Sequence, residues 1–175
     1  MQFEIEWSVG ELEWLRAARL RRTERPGSRF DRGLPATGGL LNGVVQMRHR
    51  MGLLAPGRPT RDVDGLTTSI LDLALQLAGI HGHLAEAPRG RTFVYAERDG
   101  YLQIAFRRSG DAVVVTNNYF SSHRLEVPTK DFADGVEDFL EDFVEECGRQ
   151  VSTLLEWNSL APLRRFARAT PPTAA

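Results

Sequence analysis

The sequence predicts an α+β fold: an antiparallel sheet with a three-stranded meander, covered on one face by helices that include a long C-terminal amphipathic helix. Three observations carry that expectation. Residues 91–117 hold "RTFVYAER", "YLQIAFRR" and "DAVVVTN", three runs of strand length rich in aromatic and β-branched side chains. Residues 131–146, "DFADGVEDFLEDFVEE", place phenylalanine and valine at helical spacing among eight carboxylates. The opening "QFEIEW" alternates Phe3, Ile5 and Trp7 with Glu4 and Glu6, the period-two pattern of a half-buried strand.

After that strand, Ser8 and Glu11 have the spacing of a capping box, and "ELEWLRAARL" continues as a short helix. Residues 16–39 read as a basic loop or arm, broken by Pro26, Gly27, Gly33, Pro35, Gly38 and Gly39. Between residues 16 and 32 it carries seven arginines against Glu24 and Asp31. In "GLLNGVVQMRHRMGLL", Leu40, Leu41, Val44, Val45, Met47 and Met51 fall at helical spacing. The prolines and glycines of "APGRPTRDVDG" then interrupt the chain. "LTTSILDLALQLAGI" predicts a further helix with Leu66, Ile70, Leu73, Ala74 and Leu77 on one stripe.

Asp99-Gly100 and Ser109-Gly110 separate the three runs of the meander as hairpin turns. "NYFSSHRLEVPT" reads as irregular chain or a short fourth strand. Thr129 or Asp131 then caps a helix running to about Trp157. The chain is expected to form a single domain over residues 1–160, followed by a partly disordered tail at 161–175.

Composition narrows the function classes. Apolar residues make up 42% and charged residues 26%, the balance of an ordinary globular protein. No run approaches the ~18 apolar residues of a membrane span. The first residues lack the basic start and apolar core of a signal peptide. A lone cysteine, Cys147, forms no internal disulfide. The expected location is the cytoplasm. The cationic residues are 21 Arg and one Lys, a bias that a GC-rich codon usage also produces.

The segment 131–146 sets the functional question. At 100° per residue its apolar side chains occupy an arc of about 140°, and Asp131, Asp134, Glu137, Asp138, Glu141, Asp142, Glu145 and Glu146 fill the opposite side. Acids in the first turn complement the helix dipole. Those further along form like-charged pairs at spacing four, each costing roughly 0.2–0.5 kcal/mol. Three readings account for them: a solvated face, a surface covered by the basic segment 16–32, or a docking face for a basic protein partner. Docking is the leading reading, with Asp134, Asp138, Glu141, Asp142 and Glu145 as the electrostatic surface. Asn117, Asn118 and Tyr119 are its possible neighbours.

Catalytic and cofactor signatures are incomplete. His81-x-His83 lacks further ligands for a metal. His123 and Cys147 meet as base and nucleophile only through tertiary proximity, and Cys147 lies on the apolar stripe of its helix. "GLPATGG" lacks the Gly-Lys-Ser/Thr ending of a phosphate loop. The sequence predicts no cofactor, no metal and no catalytic residue.

"ILDLALQLAG", the meander and the phenylalanine-spaced acidic helix, spanning residues 66–157, together resemble the small immunity proteins of bacterial polymorphic-toxin systems. That resemblance implies a non-enzymatic inhibitor that binds a cognate toxin through an acidic face. Two alternatives stand beside it. One is a nucleic-acid-associated regulator using the arginines of 16–32; the other is a small enzyme without a recognisable motif.

Overall fold

The computed structural model describes residues 3–23, 40–49, 66–84, 86–96, 102–118 and 124–167. Its strands form two antiparallel sheets. The first is ordered β1-β2-β3, from Phe3–Val9, Asn42–His49 and Leu66–Ser69. The second is ordered β4-β5-β6-β7, from Thr92–Ala96, Gln103–Ser109, Ala112–Asn117 and Arg124–Pro128. Helices α1 (Glu11–Thr23), α2 (Ile70–Leu84), α3 (Thr129–Gln150) and the short α4 (Ala161–Arg164) complete the described chain.

The expected single sheet is therefore two, because two segments read as helical are strands. Residues 42–49 pair with β1 along its whole length, Phe3 opposite His49, Ile5 opposite Met47 and Trp7 opposite Val45. Val45 and His49 face the core, while Val44 and Arg48 face outward. Consecutive valines favour an extended chain, and β1 supplies the partner that a local spacing rule cannot see. Likewise Leu66–Ser69 pairs with β2, and only from Ile70 does the chain turn helical.

Ser69 marks that switch. Its hydroxyl donates to the Leu40 carbonyl at 2.9 Å and accepts from the Asp72 amide at 3.3 Å, capping α2. Ser8 does not play this part for α1. It lies inside β1, and the Gly10 carbonyl instead receives the amides of Glu13 and Trp14. Residues 16–23, placed in a loop by the sequence reading, belong to α1. Residues 24–39, with the rest of the basic arm, lie outside the described residues, as do Asp99-Gly100 and Tyr119.

The three strands of the meander form, and β7 joins them as a fourth. The second turn falls one residue later than expected: Ser109 is the last residue of β5, paired with Ala112, and Gly110, at a positive φ of 63°, makes the turn with Asp111. Tyr95, Ile104, Phe106, Val113, Val115, Leu125 and Val127 face the core, whereas Val94, Arg107 and Glu126 alternate toward the surface. A hydrogen bond of 2.6 Å between the buried hydroxyls of Thr68 and Tyr95 ties the two sheets together.

Helix α3 is the common floor. Phe132 stacks on Phe3 of the first sheet at 5.2 Å and meets Phe106 of the second at 5.6 Å. Further along, Trp7 packs edge-on against Phe139 and Phe143, so α3 runs beside β1. Each such apolar side chain contributes ~1.5–3 kcal/mol on burial. Gly135 permits the approach: a Cβ there would strike the Phe3 carbonyl. Pro128 precedes the helix and no side chain caps it, in contrast to the cap expected from Thr129 or Asp131.

Helix α3 also stops earlier than expected, at Gln150, and two 3-10 turns carry the chain through Trp157. The tail divides. Leu163 and Phe166 are buried, and Arg164 donates to the carbonyls of Leu155, Glu156 and Trp157, so residues 161–167 are packed. Residues 168–175 lie outside the described residues.

Candidate functional site: the anionic face of α3

The amphipathic character of α3 is realised in three dimensions. Phe132, Gly135, Val136, Phe139, Leu140, Phe143, Val144 and Cys147 are buried. Asp134, Glu137, Asp138, Asp142 and Glu145 are exposed, and Asp131, Glu141 and Glu146 are half-buried. The helix therefore holds a row of carboxylates on a rigid support pinned from beneath by aromatic packing.

Several of these acids have near neighbours. Asp131 approaches Nε2 of the buried His49 at 3.6 Å. Asp134 accepts from Lys130, one turn earlier, and this bond raises the lysine pKa above its ordinary value, with the Asp134 charge acting in the same direction. Glu137 lies 4.0 Å from His81 Nε2. Glu146 accepts from Arg149 and, at 2.8 Å, from Gln150. The cations of α3 itself, Lys130 and Arg149, stand in its first and last turns. Solvent screens the exposed pairs among these, so their effect is chiefly on the shape of the electrostatic field.

Asn118 belongs to the meander. Its side-chain oxygen accepts from the Gln103 amide at 2.7 Å, and its own amide donates to the Gln103 carbonyl at 3.1 Å, extending the β5–β6 ladder. Asn117 closes β6 opposite Ile104. The start of α3 adjoins the other end of β6, where Ala112 faces Pro128. The asparagines and the first turn of the acidic helix thus occupy opposite ends of that strand.

At its C-terminal half the acidic face borders a groove that the sequence does not announce. The void measures about 470 Å³ and is lined by Trp7 of β1, Trp14 of α1, and Asp142, Glu145, Glu146 and Arg149 of α3, among others. Trp7 is half-buried and Trp14 almost wholly so. The period-two pattern of β1 marks Trp7 as inward, but the arrival of α1 beside α3 is a tertiary event with no local signature.

The other candidates resolve as follows. Cys147 is buried, and desolvation, with a smaller contribution from the Glu146 charge, pushes its thiol pKa far above the ordinary range. A thiol in that setting is a poor nucleophile. His123 and "GLPATGG" lie outside the described residues. His81 sits edge-on against Phe166 at 5.6 Å beside Glu137. Among the described residues, no three His, Cys, Asp or Glu side chains gather to hold a metal ion, and no helix is long and apolar enough to cross a membrane. Comparison with protein-family models, curated proteins and solved structures finds no match to the chain.

Proposed function

We propose that the protein is a non-enzymatic binding module that engages a basic protein partner through the exposed face of α3. The observation that carries this reading is the segregation of α3 into a buried aromatic side and an exposed row of carboxylates. Such a row spends folding stability on like-charge repulsion. What it gains is a field that draws a cationic surface in and orients it. Asp134, Asp138, Glu141, Asp142 and Glu145 form the electrostatic surface. Asn117 and Asn118, at the far end of β6, contribute only if the partner spans the second sheet.

The likeness of residues 66–157 to immunity proteins gives the reading its concrete form: an inhibitor that neutralises a basic toxin in the cytoplasm where both are made. The test takes the product of the adjacent reading frame as ligand and measures affinity by calorimetry at low and high salt. Reversing Asp138, Glu141 and Glu145 to Lys is expected to weaken binding at least tenfold, about 1.4 kcal/mol, and to flatten its salt dependence. Absence of binding, or unchanged affinity and salt dependence in the variant, removes the reading.

A further inference from the structure

We infer that the open edge of β4 is a self-association surface, which pairs antiparallel with the same edge of a second copy of this chain. Each sheet ends in two edge strands, and an uncovered edge is a template for further pairing. Among the described residues, three of the four edges carry a device against this. β1 lies against α3, with the Phe3 carbonyl beside Gly135. β3 is only four residues long. β7 exposes Arg124 and Glu126 and ends in Pro128. β4 has no such device: Thr-Phe-Val-Tyr-Ala holds no charge and no proline, and Val94 at its centre is 50% exposed.

The ladder fixes which backbone groups the edge presents. The Arg108 amide of β5 donates to the Arg91 carbonyl at 3.0 Å, and the Arg108 carbonyl accepts from the Gly90 amide at 2.8 Å. Arg108 therefore turns its polar groups toward β4. By the alternation of an antiparallel ladder, Phe106 and Ile104 do the same toward Phe93 and Tyr95, their register partners. Thr92, Val94 and Ala96 then direct their amides and carbonyls away from β5, to the side where no described strand stands. All three residues are exposed.

A second copy suits this edge. A two-fold axis at Val94 sets Val94 against Val94 and Thr92 against Ala96, so each outward amide meets a carbonyl. Residues 91–97 read Arg-Thr-Phe-Val-Tyr-Ala-Glu, an uncharged run between a cation and an anion. Antiparallel copies bring the unlike ends together, whereas parallel copies would oppose like charges. Edge pairing buries little area, so the dimer is a weak, exchanging one.

The test is sedimentation velocity on the full chain across the micromolar range, with amide hydrogen exchange at the lowest and highest concentrations. A reversible dimer is expected, with the amides of Thr92, Val94 and Ala96 gaining protection as concentration rises and those of Phe93 and Tyr95 protected throughout. Val94→Lys sets two like charges across the axis and should abolish the dimer, while the melting temperature at low concentration stays unchanged. Arg91→Glu should weaken the dimer about tenfold, and adding Glu97→Arg should restore it. Arg91 also lies over the Phe93 ring at 5.8 Å, so the rescue, not the single change, identifies the contact between copies. A chain that stays monomeric, a dimer whose three amides remain unprotected, indifference to Val94→Lys or a failed rescue each overturns the inference. Protection of these amides only on addition of the neighbouring frame's product gives the edge to that partner and overturns it equally.

Discussion

Replacing Gly135 with alanine sets two effects of opposite sign against each other. In an exposed helix interior the change stabilises by about 1 kcal/mol, because alanine loses less backbone entropy. At Gly135 the new methyl would run into the Phe3 carbonyl and its Cδ1. A carbonyl fixed in a strand has no rotamer with which to retreat, so helix and sheet must separate. Overpacking of this kind costs ~1–3 kcal/mol, and rigid backbone places it in the upper half of that range. After the propensity gain, a net loss of about 1–2 kcal/mol remains.

Gly79 provides the contrast. It lies in α2, is exposed, and has no heavy atom within 4 Å of a would-be Cβ. Gly79→Ala should gain about 0.5–1 kcal/mol. Thermal unfolding followed by circular dichroism separates them. At roughly 2–4 °C per kcal/mol for a chain of this size, the melting temperature should fall by about 2–8 °C for Gly135→Ala and rise by about 1–4 °C for Gly79→Ala. A Gly135→Ala protein as stable as the wild type would refute the close approach of α3 to β1.

Two further outcomes test the interior. Tyr95→Phe leaves the buried Thr68 hydroxyl without its 2.6 Å partner and should cost ~1–3 kcal/mol in urea unfolding; adding Thr68→Val should recover part of the loss, and strict additivity would show that the hydroxyls do not interact. Cys147, its pKa raised by burial, should resist alkylation in the native state and react once unfolded. Because the unfolded thiol releases its proton near pH ~8.5 while the folded one retains it, stability should fall by about 1.4 kcal/mol per pH unit above that point, until the folded thiol also ionises. Cys147→Ala should remove that component of the slope, and an unaltered slope would sink the account.

Much of this fold was legible because the pattern is local. The alternation of β4, β5 and β6 and the stripe of α3 each fit within a few turns or residues of chain. Where the reading failed, the deciding partner lay far away. Leu40, Leu41, Val44, Val45 and Met47 satisfy a helical spacing, and only β1, some forty residues earlier, makes residues 42–49 a strand. Leu66–Ser69 joined the following helix in the reading for the same reason. The packed tail escaped notice because Leu163 and Phe166 are too few to set a period, although both are buried. The carboxylates of the candidate face could be read directly. The aromatic wall beside them could not, since Trp7 and Trp14 meet α3 only when the whole chain is assembled.

Phe3 finds its companions late. Its ring rests on Phe132 and its carbonyl against Gly135, residues made well over a hundred positions after it. On a ribosome adding ~5–20 residues per second, the first strand leaves the exit tunnel many seconds before that surface exists. Even after β2 has paired with it, the opening strand must therefore wait with its aromatic face uncovered, and the same helix that faces the outside world ends the wait.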